Sequence, residues 1–446
     1  MTKRPFTRTI PFAQALRFWL KLGFISFGGP AGQIAVMHQE LVERKRWISE
    51  RRFLHALNYC MLLPGPEAQQ LATYIGWLLH RTWGGLVAGG LFVLPSLFIL
   101  IGLSWIYMAY GTVPSVAGLF YGMKPAVTAI VVFAAFRIGS KALKKAWLWA
   151  IAGASFIGIF ALNVPFPAIV LAAGIFGYLG GRWHPRAFTI GGSYGPTQTH
   201  HEPAVIDDQP PIPEHARFSW PSLWWHLGTG AGLWIASLGG LIALWGWEHP
   251  LTQMGWFFTK AALLTFGGAY AVLPYVYQGA VEQYQWLSPL QMIDGLAMGE
   301  TTPGPLIMVV TFVGFVGGWT KAFFGTDATL WAGIVAATVV TFFTFLPSFL
   351  FILIGGPIIE STHGDLTFTA PLTGITAAVV GVILNLALFF TYHILWPQGF
   401  AGRFEWVPAL IGSAAFFALY RYKISIIPVV GACAAAGLAL RLFGLV

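Results

Sequence analysis

The sequence predicts an all-α polytopic membrane protein: two inverted-topology repeats with broken or re-entrant helices, joined by one extra transmembrane helix. Three observations predict this fold. Only 9% of the 446 residues are charged, whereas soluble domains have about 25%. Uncharged runs such as 84–110 exceed the roughly 20 residues that a spanning helix needs. The motifs of the first half also recur in the second half at a constant spacing.

The internal duplication can be read from aligned residues. FWLKLGFISFGGPA at 18–31 matches FFTKAALLTFGGAY at 257–270, an offset of 257 − 18 = 239 residues. The same offset carries Trp47 onto Trp286 and Pro64-Gly65-Pro66 onto Pro303-Gly304-Pro305. We therefore expect a first repeat at 1–185, a cytoplasmic linker at 186–222, a connecting transmembrane helix at 223–249 and a second, inverted repeat at 250–446.

Loop charges predict the inversion. The first repeat has ERKRWIS at 43–49, and the second has EQYQWLS at 282–288, where the basic residues are missing. Because Lys and Arg accumulate in cytoplasmic loops, the two loops are expected on opposite sides. The N-terminus is then cytoplasmic and the C-terminus lies on the other side, with nine crossings and four broken hairpins. The sequence leaves open whether each broken segment returns or crosses fully.

Each repeat breaks two of its apolar segments with glycine and proline. The breaks are FGGPAG and LPGPEAQQ in the first repeat, and FGGAY and TPGPLIM in the second. Irregular backbone at membrane depth is costly unless it faces protein or a wet cavity. Matched breaks in inverted halves are typical of transporters whose half-helix N-termini hold an anion. The alternative is that all four are ordinary kinks, which membrane helices tolerate.

The breaks and their polar neighbours form the predicted substrate site. Its residues are Gly28, Gly29, Pro30, Pro64, Gly65, Pro66, Gly267, Gly268, Pro303, Gly304 and Pro305, with Ser26, Thr265 and Gln69 as neutral hydrogen-bonding groups.

Fixed cations are expected to assist, because a helix N-terminus stabilises an anion by at most about 2 kcal/mol and burying a charge costs more. Lys21 and Lys260 occupy matched positions in the broken segments, and Arg137 lies in a later apolar segment. All three are predicted substrate ligands. The alternatives are that Lys21 snorkels to the headgroups and that Arg137 is an interfacial anchor.

Two carboxylates are candidates for proton coupling. Glu67 follows Pro66 directly and would occupy the place that a substrate anion prefers, so its ionised form would compete with substrate. The alternative is that Glu67 only caps its helix by interacting with the dipole. Glu300 lies in GETTPGP close to the last break. Leu306 takes the place of Glu67 in the second repeat, so this role would be one-sided.

Other classes of function have little support in the sequence. The net charge of +9 fits cytoplasmic loops better than nucleic-acid binding. The two cysteines lie in apolar segments and suggest neither a disulfide framework nor a zinc site. The His200-His201 pair is interpreted as polar linker sequence. We expect no metal and no cofactor, and no enzyme activity; membrane lipid is an expected partner, and the sequence leaves a homodimer open.

These motifs resemble the chromate ion transporter family in its long two-domain form. The residues that carry the resemblance are FGGPAGQIAVMHQELVERKRWISERRFLHALNYCMLLPGPEAQQLATYIGW at 27–77, LTFGGAYAVLPYV and GETTPGPL. The resemblance implies a bacterial inner-membrane carrier that expels chromate and confers resistance, with sulfate as the natural competitor. It also implies importance for Gly28, Gly29, Pro30, Pro64, Gly65, Pro66 and Glu67.

The sequence therefore predicts a secondary transporter that exports chromate by alternating access between inverted halves. The first alternative is a carrier of the same architecture for sulfate or another oxyanion. A more remote alternative is a membrane enzyme acting on a lipid-linked phosphate, which would need a catalytic His, Asp or metal set that the Gly/Pro motifs lack.

Overall fold

A computed structural model describes residues 10–183, 204–206, 214–266, 268–361 and 369–445. Within these ranges the regular structure is helical, which confirms the predicted fold class. The helices are α1 (Phe12–Ile25), α2 (Gly29–His38), α3 (Glu50–Cys60), α4 (Glu67–Tyr110), α5 (Pro114–Ala142), α6 (Ala146–Phe160), α7 (Phe166–Trp183), α8 (Trp220–Trp245), α9 (Pro250–Leu263), α10 (Ala269–Tyr277), α11 (Pro289–Thr301), α12 (Val309–Lys321), α13 (Thr329–Ser361), α14 (Thr369–Leu395), α15 (Trp406–Arg421) and α16 (Ile426–Leu442).

The first repeat begins with two helical hairpins whose ends lie at the same level. After α2 and a π-helical turn at Gln39–Arg44, the chain returns to α1, where the Trp47 ring packs edge-on against Phe18 at 5.1 Å. At the end of the second hairpin, His80 Nε2 lies 2.8 Å from the Ile10 carbonyl oxygen. Both broken segments therefore turn back to the side from which they start.

Helix α4 contains a sharp reversal that completes the second hairpin. His80 and Arg81 have non-helical backbone angles, so a first arm (67–79) is followed by a second arm (82–110). The arms pack antiparallel through glycines, because a Cβ on Gly84 would meet the backbone of Gly76 and a Cβ on Gly85 would meet Thr73. The first arm is thus the returning half of the hairpin.

The second repeat uses the same construction. Trp286 packs against Phe257 at 5.6 Å, the counterpart of the Trp47–Phe18 contact 239 residues earlier. Glycines again allow the returning helix to approach the next one closely, since a Cβ on Gly314 would lie 2.9 Å from the Ala336 carbonyl oxygen. The matched breaks therefore produce matched hairpins.

Contacts across the repeats show their inversion. The first arm of α4 runs in the same direction as α13, because Gly65 lies beside Ser348 and Trp77 lies beside Gly356. The second arm is antiparallel to the first, so it is antiparallel to α13, its own counterpart. The duplicated halves thus face in opposite directions.

The last helices of each repeat pack on the other repeat. Helices α6 and α7 lie against α14, while α15 and α16 lie against α5. Glycines permit close contact at both places, where Gly122 faces Cys433 and Gly374 faces Ala173. We call these six helices (α5, α6, α7, α14, α15 and α16) the scaffold, and we call the hairpins with α4, α12 and α13 the hairpin body.

The hairpin body meets the scaffold unequally. Helices α10 and α11 of the second repeat pack on scaffold helices, whereas α2 and α3 form no comparable interface within the described ranges. All nine residues of α10 are buried, but only Gln33 and Met37 are buried in α2. The twofold relation between the repeats is therefore broken at this interface.

Apolar helices account for the predicted crossings. Within the described residues, six are long and apolar enough to span a membrane by length and composition: α4, α5, α7, α8, α13 and α14. Helices α6, α15 and α16 are shorter apolar helices, and they correspond to the three remaining predicted crossings. Since α6, α15 and α16 have 15, 16 and 17 residues, below the about 20 residues usual for a span, their crossing remains a prediction.

Part of the linker between α7 and α8 is seated on the first repeat. Ile206 forms an isolated parallel bridge with Ile48. His215 donates from Nε2 to the Trp77 carbonyl oxygen at 3.1 Å, and burial lowers the pKa of this imidazole, which favours its neutral form. The predicted His200-His201 sequence lies outside the described residues.

Inverted repeats predict opposite exposure for matched loop positions. Glu43 and Glu282 are separated by 239 residues, and both are exposed in the π-helical turns. In a chain with Cys60 and Cys433 replaced by alanine, we expect a membrane-impermeant maleimide to label Glu282→Cys in intact cells and Glu43→Cys only in inverted vesicles. Labelling of both cysteines from the same side would contradict the inverted topology.

Candidate functional site

All four Gly/Pro motifs lead into helix starts. Gly28 (φ +85°) is the N-cap of α2, and Gly268 (φ +96°) is the N-cap of α10. Pro66 precedes the first residue of α4, and Pro305 precedes a short 3₁₀ turn that continues into α12. The predicted half-helix N-termini are therefore present at all four breaks.

The breaks meet in pairs across the repeats. The Gly65 N–H donates to the Thr265 carbonyl at 2.7 Å, and the Gly304 N–H donates to the Ser26 carbonyl at 2.8 Å. These two bonds are exact counterparts under the 239-residue offset. Each Pro-Gly-Pro turn of one repeat is thus tied to the Phe-Gly-Gly break of the other. We call residues 64–66 the Gly65 turn and residues 303–305 the Gly304 turn.

Glycine is required at the centre of both turns. Gly65 has φ +126° and Gly304 has φ +103°, conformations that other residues rarely adopt. A Cβ on Gly304 would lie 2.8 Å from the Ser96 Cβ, and a Cβ on Gly65 would collide with the Ser348 hydroxyl. Ser96 and Ser348 are themselves counterparts in the repeated Leu-Pro-Ser motif.

Buried polar atoms without hydrogen-bond partners are concentrated around the turns. Among the described residues, they include the hydroxyls of Ser26, Ser96 and Ser348 and the amide oxygens of Gln33, Gln69 and Gln70. Such atoms are rare in folded proteins and call for an explanation such as a ligand or water. Gln33 also donates to the Gly304 carbonyl at 2.5 Å.

Three of these residues were missed by sequence reasoning: Gln33, Ser96 and Ser348. Gln33 has no polar counterpart in the second repeat, where Val272 takes its place. Ser96 and Ser348 did carry a signal, because the same serine recurs in two otherwise apolar segments. That signal indicated duplication, but it gave no indication that each serine faces the opposite repeat.

The two candidate coupling carboxylates lie beside the breaks. The Glu67 Oε1 lies 3.9 Å from the position of a Cβ on Gly268, so the start of α4 faces the start of α10. Glu300 is buried and accepts a hydrogen bond from the Tyr270 hydroxyl. Arg137 interacts electrostatically with Glu300 over a longer distance, and its role as a substrate ligand remains a prediction.

The two predicted lysines lie away from the turns. Lys21 is exposed and lines a cleft of about 460 Å³ together with Arg17 and Lys45. The Lys260 ammonium lies 5.5 Å from the centre of the Trp256 ring, a cation–π distance. Neither lysine therefore contacts the paired turns in this conformation, and their role as ligands remains a prediction.

The two repeats differ in access to their breaks. Gly28 is exposed, Gly29 and Pro30 are partly exposed, and a Cβ on Gly29 would meet no atom within 4 Å. In the second repeat, Gly268, Pro303, Gly304 and Pro305 are all buried, while Gly267 lies outside the described residues. Of the Gly65 turn, only Pro64 is partly exposed. The first Phe-Gly-Gly break is therefore more exposed than the second-repeat breaks.

Comparison with known proteins identifies the family. The family model described as "Chromate transporter" matches residues 13–178 and 252–438, so both repeats are covered. The chain belongs to the chromate transporter family. No solved structure matches this fold significantly.

Named relatives of this chromate transporter family member cover nearly its whole length. It is 30% identical to the chromate transport protein of Pseudomonas aeruginosa over 437 residues, which are 96% of this chain and 92% of the relative. It is also 30% identical to the chromate transport protein of Cupriavidus metallidurans over 389 residues, 85% of this chain and 82% of the relative. The uncharacterized transporter YwrB of Bacillus subtilis is 29% identical over 164 residues, 36% of this chain but 83% of its own length.

The two turns bring together hydroxyl groups, amides and helix N-termini from both repeats. Groups of these kinds are suited to hold an anion by directed hydrogen bonds.

Proposed function

We propose that the chain is a secondary active transporter that exports chromate across the bacterial inner membrane and thereby confers chromate resistance. Membership of the chromate transporter family supports the choice of substrate. The observation that carries the proposal is the pairing of Pro-Gly-Pro turns with Phe-Gly-Gly breaks, Gly65 with Thr265 and Gly304 with Ser26. In this proposal the predicted Gly/Pro residues bind the anion at or next to these two turns.

The paired turns suit a transported anion because they combine rigidity with hydrogen-bonding capacity. The turn glycines are held by backbone bonds to the other repeat, so a movement of one repeat moves the binding groups of the other. The unpartnered hydroxyls of Ser26, Ser96 and Ser348 offer donors without a fixed buried cation. Since a permanent salt bridge would hold the substrate tightly, a site of neutral donors favours release.

The unequal contact with the scaffold supports alternating access. In the observed arrangement, α10 and α11 are covered by scaffold helices, whereas α2 is largely open. In inverted-repeat transporters the two repeats exchange roles between states. The second state would then cover α2 and α3 and open the path to the second-repeat breaks.

A partly buried ion pair joins the hairpin body to the scaffold in the observed state. Lys124 Nζ of α5 lies 3.4 Å from the Asp294 carboxylate of α11, and the Tyr107 hydroxyl donates to the same carboxylate at 2.8 Å. Separating such a pair leaves a buried charge without its partner, at a cost of about 3–5 kcal/mol. We propose that breaking this pair contributes to the barrier between the two states.

The proposed orientation follows from loop charge. The basic loop at 43–49 places the first hairpins on the cytoplasmic side, with the N-terminus cytoplasmic and the C-terminus periplasmic. In this proposal an anion approaches the turns from the exposed break at Gly28 and Gly29. Sulfate or another oxyanion is the alternative substrate, because neutral donors recognise oxyanions of like shape and charge.

Flux measurements test the proposed function directly. We expect proteoliposomes loaded with chromate to release it only when they contain the protein, and excess sulfate to slow that release. Gly304→Ala should abolish the release, because alanine at φ +103° would also collide with Ser96.

Gly102→Ala is the matched control, since Gly102 lies in α4 and a Cβ there would meet no atom within 4 Å. It should retain the flux. Membrane insertion of both variants is checked by detergent extraction and gel filtration. Protein-independent chromate release, or a preference for sulfate with no chromate flux, would refute chromate as the substrate.

Glu67→Gln tests proton coupling. A neutral Gln imitates the protonated carboxyl and no longer competes with substrate, so we expect the variant to transport with a flattened dependence on pH. Flux is measured between pH 5.5 and 8.5 in the same proteoliposomes. Glu282→Gln, at an exposed loop position, is the control that should keep the wild-type profile. A wild-type profile in Glu67→Gln would remove Glu67 from the coupling mechanism.

Cross-linking tests the movement between hairpin body and scaffold. The rings of Tyr277 (α10) and Phe389 (α14) lie 4.5 Å apart across this interface. We expect cysteines at both positions, joined by a short thiol cross-linker, to stop transport until the link is reduced. The same link between Phe133 and Phe416, which both belong to the scaffold and lie 6.5 Å apart, should leave transport intact. Transport through the Tyr277–Phe389 link would exclude this movement.

A further inference from the structure

We infer that Ser96 and Ser348 are substrate-contacting residues that donate their hydroxyl hydrogens to the bound oxyanion, one at each Pro-Gly-Pro turn. The inference rests on the proposed anion transport and assigns it two ligands that lie outside the Gly/Pro motifs. It follows from where the two hydroxyls lie, from their lack of partners and from their relation by the internal duplication.

The location of each serine is fixed by contact with a turn. The Ser96 Oγ lies 3.2 Å from the position of a Cβ on Gly304. The Ser348 Oγ lies against the corresponding position on Gly65. Each serine comes from a long helix of the repeat opposite to the glycine that it faces, α4 for Gly304 and α13 for Gly65. Both serine hydroxyls therefore lie directly beside a turn glycine of the opposite repeat.

The absence of partners sets these serines apart from the buried threonines that donate within their own helices. Buried Ser and Thr in helices usually donate to the carbonyl four residues earlier. Thr259, Thr265 and Thr344 all do so, at 2.7–2.8 Å. Ser96 and Ser348 are 0% and 1% exposed, yet neither hydroxyl has a hydrogen-bond partner among the described residues. Leaving a buried hydroxyl unpaired costs about 1–3 kcal/mol, a cost that a bound ligand would remove.

The neighbouring groups complete a polar environment at both turns. At the Gly304 turn, the Ser26 hydroxyl is also buried and unpartnered, and Gln33 holds the Gly304 carbonyl. At the Gly65 turn, Gln70 donates to the Pro64 carbonyl at 2.7 Å and keeps an unpartnered amide oxygen. The glutamines thus hold the turn carbonyls and leave the serine hydroxyls available to an incoming oxyanion.

The chemical class of ligand follows from the donors. A hydroxyl donates one hydrogen bond and accepts others, so it suits an oxyanion in either of two protonation states. The serine donors carry no charge, and the lysines lie elsewhere. The site should therefore select a tetrahedral oxyanion by size and hydrogen-bond geometry more than by net charge.

Single substitutions by alanine test this inference. We expect Ser96→Ala and Ser348→Ala each to raise the KM for chromate by about 10-fold or more, the usual effect of losing a hydrogen bond to a charged group. Thermal unfolding without ligand should occur at the same or a higher temperature, because an unpaired buried hydroxyl has been removed. The upward shift in melting temperature that chromate gives the wild type should become smaller.

Ser104→Ala is the matched control. Ser104 lies in α4 eight residues after Ser96, and its hydroxyl is likewise buried and unpartnered, but it lies outside the turns. This variant should keep the wild-type KM and ligand-induced shift. Ser96→Thr and Ser348→Thr retain the hydroxyl and should recover part of the affinity.

The outcomes separate this inference from the proposed function. If the wild type transports chromate and both alanine variants keep its KM, the serines are not ligands. An equal loss in Ser104→Ala would also overturn the assignment, because it would show a general effect of removing buried hydroxyls. If the wild type transports sulfate but no chromate, the substrate proposal fails, and the same variants measured with sulfate still decide the role of the serines.

Discussion

The structure depends on one constraint: backbone groups inside a membrane must find hydrogen-bond partners within the protein. A break in a helix frees several such groups, and this chain has four breaks. The Gly65 and Gly304 amides are satisfied by carbonyls of the opposite repeat, so neither repeat satisfies the central amide of its own turn. The glycines, the proline-started helices and the close crossing of α4 and α13 all follow from bringing these backbones together.

Helix α10 of the second repeat packs against scaffold helices, whereas the first Phe-Gly-Gly break is exposed. Tyr275 and Tyr277 of α10 lie against Phe166 and Phe389 of the scaffold, whereas the positions around Gly28 stay open. The ionisable residues also differ between the two repeats. Glu67 of the first repeat is matched by Leu306, and the buried Asp294 of the second repeat is matched by His55. Duplication thus preserved the backbone plan while the ionisable groups diverged.

The repeats, the helix breaks and the inversion could be predicted from the sequence because each produces a short, recognisable sequence pattern. FGGP, PGP and the lost arginines of the 282–288 loop are visible without any contact information. The position of Lys21 was harder to predict, because residue spacing does not show which face of α1 packs against the other helices of the hairpin body. Ser96 and Ser348 were missed for a related reason. The sequence does not show that each of these serines contacts a turn glycine far away in the chain. The Lys124–Asp294 pair likewise joins residues that are 170 positions apart (294 − 124).

The last two helices of each repeat, α6–α7 and α15–α16, pack on the other repeat. This arrangement has a consequence for biosynthesis. Helices α6 and α7 are synthesised long before their partner α14, and α5 is synthesised long before its partners α15 and α16. During translation the first repeat is therefore inserted without the surfaces that its own late helices require. Its glycine-lined faces around Gly122 and Gly177 therefore lack their partner helices until the final third of the polypeptide has been made. The contacts between the scaffold helices of the two repeats consequently form late, after the hairpins of both repeats have been synthesised.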